Sequence, residues 1–496
     1  MNVETLQHLA PMFVLMGGAA LLLMYEVFSG QPSRSWAANF SVAVLVVAGW
    51  ILFGRLDEPT AELFASDGFV PIIVDAFSVV ASLVVVAGAI VACLISPAYA
   101  RNAGHDSGEY YALLLFSVVG MMVMVMAGDL ITFFLGLETM SVAVYCLTGI
   151  RTNDARSAEA ALKYFLMGAF ATGFLLFGIA LVYGATAGVS YETMARALRA
   201  PEGFAGMPIL PLGIVMVLIG FAFKVSAVPF HMWAPDVYEG APTPVTGFMA
   251  VGVKAAAFVA LLRVVMSGLP GLEDASQMVW VPFLSVLAVL TVLVGNALAL
   301  VQSNVKRMLA YSSVSHAGYA LIGVVAAAKG EPSAGTAVLY YLSGYTFMTI
   351  GAFGVLTFLE RKDGGAESER YGAYAGVGYR HPALALAMVL FMVALGGLPP
   401  TAGFFGKLYI FTSAIRAGEV GLALVGIMGS IVSIAYYLRV LVAFYMRDVP
   451  DPGPTPTATG SAQLTIGLVV ASAGVIVLGV LPSAWIEITR AATAVL

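Results

Sequence analysis

Apolar residues run along this chain in long unbroken stretches separated by short polar loops. The stretches lie near 9–30, 36–54, 70–96, 110–127, 130–150, 161–188, 209–230, 242–268, 278–300, 308–328, 334–360, 382–416, 420–446 and 462–489. Most match or exceed the roughly 20 residues that a helix needs to cross a hydrocarbon core about 30 Å thick. The pattern predicts an all-α polytopic membrane protein of about fourteen transmembrane helices. The longest stretches between them, near 189–208, 361–381 and 447–461, are polar or rich in Gly and Pro. None is long enough to bury the core of a soluble nucleotide or flavin domain.

Two of the apolar stretches are broken inside. In FAFKVSAVPFHMWAPDVYEGAPTPV, Pro229 lacks an N–H and disfavours helix in the residue before it, so the helix is interrupted just after Lys224. In LGGLPPTAGFFGKLYIF, Gly396, Gly397, Pro399, Pro400, Gly403 and Gly406 disrupt a second span that carries Lys407. Interrupted helices in corresponding positions of two halves point to a binding or conduction site in a transporter. The chain between Lys224 and Lys407 is long enough for five spans, so a five-helix repeat fits, and an odd number of helices makes the two copies inverted. The division that follows is 1–109 for three leading helices, 110–268 and 278–446 for the two repeats, and 447–496 for a loop and a last helix.

Composition narrows the class. Of 496 residues, 10% are charged, against about 25% in an ordinary soluble domain, so each charge within a span is unusual. The net charge of −5 is spread over short loops and offers nucleic acid no basic patch. Cys93 and Cys146 stand singly, which excludes a cysteine-ligated iron–sulfur cluster. The leading residues MNVETLQHLA contain no Lys or Arg, so the first span is expected to be retained rather than cleaved as a signal. Lys and Arg in alternate loops set orientation. Arg34, Arg101, Arg151, Arg156, Lys306, Arg307, Arg361, Lys362, Arg370, Arg380 and Arg447 fall on one side, against Arg55, Arg196, Arg199, Arg263, Lys329, Arg416 and Arg490 on the other. The richer side is expected to be cytoplasmic, with both termini periplasmic.

The charges that loops do not explain are the candidate chemistry. Glu138 lies nine residues past Asp129, roughly 13 Å along a helix. Lys254 lies twelve residues past Pro242, roughly 18 Å along its helix and therefore near the bilayer centre. Ionisable groups at that depth are costly and mark ion pathways. Lys163 follows Glu159 at i+4 and reads equally well as a surface pair or an accessory group. In KRMLAYSSVSHAGYA, Ser312, Ser315, His316 and Tyr319 fall on one helix face. His231 lies just past the first break, where an imidazole is suited to proton exchange with the aqueous side. Burial disfavours the charged form of such groups while an opposite charge favours it, so Glu138 and Lys224, if close, titrate as a coupled unit.

The stretches FKVSAVPFHMWAPDVYEGAPTPVTGF, NVKRMLAYSSVSHAGY and LPPTAGFFGKLYIF resemble the signatures of the subunit N family of the bacterial proton-pumping NADH:quinone oxidoreductase, respiratory complex I. The resemblance runs over nearly the whole chain. It implies a fourteen-helix antiporter-like fold in the bacterial inner membrane, with two inverted five-helix repeats and one proton channel. It also implies that quinone reduction elsewhere in the complex drives the protons. Glu138 and Lys224 are carried as a coupled pair, Lys254 as the central relay and Lys407 as the group toward the exit, with Lys163 and His316 as accessory positions. NADH, FMN, iron–sulfur clusters and quinone belong to other subunits, and this chain is expected to hold no cofactor. The expected partners are small membrane subunits, a neighbouring antiporter-like subunit and the lipid bilayer. Lysine rather than glutamate at 407 favours subunit N over the related subunit M. The chain is then a translocase subunit that performs no redox step alone. An Mrp-type cation/proton antiporter subunit is the alternative, and the VYEGAPTPV stretch argues against it.

Overall fold

The computed structural model describes residues 3–29, 36–66, 69–200, 206–269, 279–359, 369–447 and 461–496. Three of the loop charges counted above, Arg34, Arg361 and Lys362, lie outside the described residues, as does most of the 447–461 loop.

Helices dominate because a bilayer leaves backbone N–H and C=O groups no water to bond, so each segment must satisfy them internally. In chain order they are α1 (Val3–Ser29), α2 (Trp36–Phe53), α3 (Ala76–Ala103), α4 (Gly108–Met126), α5 (Leu130–Thr148), α6 (Ala155–Thr186), the short α7 (Tyr191–Leu198), α8 (Leu210–Lys224), α9 (Trp233–Gly240), α10 (Thr243–Phe248) and α11 (Lys254–Arg263). There follow α12 (Trp280–Val301), α13 (Val305–Ala328), α14 (Ala334–Leu359), the single turn α15 (Val377–Arg380), α16 (Pro382–Gly396), α17 (Ala402–Arg416), α18 (Val420–Tyr445), α19 (Ala462–Val480) and α20 (Pro482–Thr493). Among the described residues, twelve helical stretches are long and apolar enough to cross a membrane. One of these, Thr243–Gly268, joins α10 and α11 through a π-helical turn at Met249–Val253 and ends in a second at Val264–Gly268.

The chain is not purely helical. Strands β1 (Ala61–Leu63) and β2 (Ile72–Val74) form an antiparallel hairpin between α2 and α3, with Glu62 opposite Ile73. Isolated bridges join Ile72 to Ala127 and Asp129 to Ser190, so the loops on this hairpin side are tied together. A bridge from Asn304 to Arg370 does the same for two loops elsewhere in the chain. Asp129 and Asn304 also cap α5 and α13, accepting N–H bonds of the first turn.

The core lies around α10–α11, α13 and α14, which are buried almost all round, whereas α6, α18 and α19 each expose a large share of apolar side chains. A helix apolar on every side belongs in a bundle interior or in lipid. Both interrupted spans occur where the prolines predict them. After α8 the chain turns through Ser226 at φ 60, an uncommon conformation for a non-glycine residue, and Pro229 follows a cis peptide. Trp233 donates its indole N–H to the Phe223 carbonyl at 3.0 Å, and Thr291 of α12 accepts the Val228 N–H at 2.9 Å. These bonds replace part of what the helix loses. After α16, Gly397 takes φ 78, which a glycine adopts without a Cβ clash. Gly403 lets α17 pack on the end of α16, since a Cβ there would sit 1.8 Å from the Ala394 oxygen.

Candidate functional site

The structure brings Lys224, Lys254, His316 and Lys407 into the buried interior of the bundle, each no more than 4% exposed. His316 is eleven residues into α13 and Lys407 nine residues before the end of α17, depths of roughly 13–16 Å. Together with the positions of Glu138 and Lys254 along their helices, this makes a band across the interior of the bundle rather than a column through it.

At one end of the band, Glu138 on α5 is half-buried and accepts a hydrogen bond from Thr172 of α6 at 2.9 Å. Lys224, the last residue of α8, does not touch that carboxylate. It donates to Ser141, nearly one turn further along α5, at 2.8 Å, and Ser141 in turn donates to the Leu137 carbonyl. The ammonium also lies 5.5 Å from the ring centroids of Tyr145 and Tyr164. Tyr164 stacks on Trp233 at 4.5 Å, Trp233 meets Tyr238 at 5.9 Å, and Tyr238 faces the Lys254 ammonium at 6.0 Å. Aromatic faces attract a cation, so these rings border the space between the two lysines without supplying a hydrogen-bonded link.

Lys254 has no carboxylate partner among the described residues. Its ammonium donates to the Ser313 carbonyl at 2.7 Å and to the Ser313 hydroxyl at 2.5 Å, and Tyr345 of α14 donates to the same hydroxyl at 2.9 Å. One turn along α13, His316 is hydrogen-bonded through Nδ1 to Tyr341 at 2.6 Å and through Nε2 to Tyr437 of α18 at 2.9 Å. Tyr437 also bonds Ser312. Tyr319 accepts from Asn296 at 3.1 Å, and its ring lies 5.0 Å from the Lys407 ammonium. Lys407 closes the band by donating to the Leu395 and Gly396 carbonyls at 2.9 and 3.2 Å and to Ser430 at 2.8 Å. A lysine from α17 thereby caps the carbonyl end of α16, where the helix dipole favours positive charge.

Two expected groups stand apart. His231, in the turn between α8 and α9, is half-buried and hydrogen-bonded to neither lysine. Lys163 is 42% exposed and pairs with Glu159 at 2.7 Å and with Asp236 at 2.9 Å. Both readings of Lys163 therefore have a contact, and Asp236 extends the group, since Arg307 bonds it at 2.9 Å and Glu239 at 2.6 Å. These side chains line a cavity of about 170 Å³ at the mouth of α6, α9 and α13.

Sequence reasoning missed most hydroxyl partners. Tyr341, Tyr345, Tyr437, Ser141 and Ser430 lie within apolar helices, and only long-range packing reveals what they face. The face of Ser312, Ser315, His316 and Tyr319 was legible, yet Ser313, off that face, is the residue that meets Lys254. Arg263, counted above with the loop charges, is buried at the end of α11 and doubly bonded to Asp75. It therefore adds nothing to the loop-charge bias. No group of three or more His, Cys, Asp or Glu side chains suited to a metal ion occurs among the described residues.

Comparison with known proteins bears on this arrangement. Residues 127–433 match the family described as "NADH:quinone oxidoreductase/Mrp antiporter, TM". The chain is 44% identical over 491 residues to NADH-quinone oxidoreductase subunit N 1 of Sorangium cellulosum, covering 96% of each. Among solved structures, it resembles a chain of respiratory complex I from Thermus thermophilus with bound aureothin, with 33% identity, a TM-score of 0.78 and coverage of 96% and 98%. It shares its fold with a chain of the Mrp complex from Dietzia, at 21% identity and a TM-score of 0.83, covering 100% of this chain and 97% of that one.

Proposed function

Because the chain belongs to the NADH:quinone oxidoreductase/Mrp antiporter transmembrane family, we propose that it is the proton-translocating subunit N of a bacterial NADH:quinone oxidoreductase. It sits in the inner membrane among other membrane-arm subunits, including a neighbouring antiporter-like subunit and small membrane subunits. It moves protons while redox chemistry on NADH, FMN, iron–sulfur clusters and quinone proceeds in other subunits. The observation that carries this reading is the buried line from Lys254 through Ser313 and Tyr345 toward His316, Tyr437 and Lys407. A chain that only filled space in the bilayer would not retain Lys254 and Lys407 without a carboxylate partner among the described residues, at the cost that intramembrane charge carries.

Protons enter beside Lys163, Asp236 and Arg307, pass to the Glu138–Lys224 unit, cross through Lys254 and His316, and leave by way of Lys407. His231, in the turn at the first break, exchanges protons with the aqueous side. Moving charge at one end alters the proton affinity of its neighbour, so loading and release alternate along the line. Amines, imidazole and hydroxyls each donate and accept through changes of state, which a static carbonyl does not.

The architecture follows the same reading. Twelve long spans and the two interrupted ones, α8 with α9 and α16 with α17, make fourteen crossings with both termini periplasmic. Two inverted five-helix repeats are supported by a matching pair of contacts. Tyr191 donates its N–H to Gly128, beside the α5 cap, and Tyr371 donates to Ser303, beside the α13 cap. The breaks are not superposable in detail, since Lys224 ends its first half-helix whereas Lys407 reaches back from the second.

The test is proton translocation by the assembled complex in proteoliposomes with Lys254→Met, which keeps the volume and removes the titratable group. Lost translocation with normal assembly supports the reading, and wild-type translocation rejects it.

A further inference from the structure

A groove of about 1060 Å³ runs down the outside of the bundle between α16 and α19, at the upper end of the range for ligand pockets. Arg380 and His381 stand at one end, Leu390 and Val469 line the walls, and Pro400 and Ile476 close the other end. Along α16 the groove extends from Pro382 to Val393, and along α19 from Thr465 to Ile476. Eleven residues in each case correspond to roughly 16 Å of helix, about half of a hydrocarbon core about 30 Å thick.

Three features select the occupant. The walls are mostly apolar and lie on the outside of the bundle, and no acidic side chain lines them among the described residues. Arg380 is exposed and makes no ion pair among the described residues, and its neighbour Tyr379 is 77% exposed. Exposed Tyr beside Arg is the composition of the headgroup level, and a basic residue there attracts anionic lipid. The groove also stops at the break, near mid-membrane. A packed transmembrane helix would need a seat through the full thickness, whereas one leaflet's lipid needs only half.

We propose that this groove binds an anionic glycerophospholipid from the leaflet on Arg380's side, its phosphate held by Arg380 and His381 and its acyl chains reaching the α16–α17 break. The chain ends then lie against Pro400 and Thr401, beside the segment whose freed carbonyls Lys407 caps. They shield that segment from the lipid side. The proposal does not depend on the chain conducting protons.

The whole complex, reconstituted in nanodiscs, tests it by photolabelling. One preparation contains phosphatidylglycerol with a diazirine near the end of one acyl chain, and the other contains the matching phosphatidylcholine. Peptides spanning Val393–Thr401 or Ala473–Ile476 should be labelled by the anionic probe about five-fold more than by the neutral one, the scale of one basic residue's attraction for anionic lipid. Arg380→Gln and Arg380→Glu should remove that preference, and Ala387→Trp, which fills the groove, should remove labelling by both probes in a complex still assembled on a native gel. Equal labelling by the two probes, an unchanged preference in both Arg380 variants, or absence of label from this chain because a partner helix covers the groove would each overturn the proposal.

Discussion

Arg263 and Asp75 form a doubly hydrogen-bonded ion pair at 2.9 and 2.8 Å, joining the end of α11 to the start of α3, with each side chain 2% exposed. Asp75 also closes a capping box with Ser78, so one carboxylate holds a helix start and a neighbouring helix at once. The segment it anchors is the one that begins with Lys254.

Breaking that pair should destabilise the chain by about 3–5 kcal/mol, because one charge is left buried and uncompensated. Asp75→Asn and Arg263→Met should each reduce the assembled complex on native gels and lower its thermal midpoint. Arg263→Lys should fall between, since an ammonium does not reproduce the planar two-point contact. The double variant Asp75→Asn/Arg263→Met should recover part of the loss. Equal losses that simply add would show that the pair is not the source.

Glu138 and Lys224 make no direct contact: the lysine donates to Ser141, nearly one turn along α5 from the carboxylate, and Glu138 accepts from Thr172. If the carboxylate loads the lysine, Glu138→Gln should impair proton pumping and quinone reduction together while assembly is normal. Ser141→Ala should produce a milder loss of both. Wild-type pumping in an assembled Glu138→Gln complex would make this carboxylate structural.

His316 joins two tyrosines from different helices. His316→Phe should lower coupled turnover several-fold, and Tyr341→Phe or Tyr437→Phe alone should cost less, because each removes one bond of the pair. Turnover and proton release measured on the same vesicles decide it, and unchanged values in His316→Phe would remove the imidazole from the path.

The proposed orientation, read from the loop charges, has both termini in the periplasm. Cysteine tags at the two ends should react with an impermeant reagent in intact spheroplasts, and protection of either end would overturn the orientation.

The spans and both interruptions were legible because a bilayer tolerates few polar residues and proline cannot continue a helix. Lys224, Lys254 and Lys407 were legible for the same reason, as charges where charge is costly. The β1–β2 hairpin, α7 and α20 were not, since short amphipathic segments outside the membrane carry no hydropathy signal. Arg263 looked like a loop residue because its partner Asp75 is 188 positions away. Ser313 was passed over because it acts through its carbonyl as well as its hydroxyl, and a backbone oxygen has no sequence signature. The capping of α16 by Lys407 was likewise invisible, although the break that frees those carbonyls was not.

The central claim is that these buried lysines carry protons, and Lys407 puts it at greatest risk because its present contacts also suit a static cap. Arginine keeps the charge and can still donate to the Leu395 and Gly396 carbonyls, but with a pKa above about 12 it does not release a proton in a protein. The decisive measurement is proton translocation per quinone reduced in proteoliposomes containing a Lys407→Arg complex whose assembly has been checked on a native gel. A proton-carrying Lys407 predicts loss of translocation in Lys407→Arg as in Lys407→Ala. Pumping at the wild-type ratio in assembled Lys407→Arg would contradict the account.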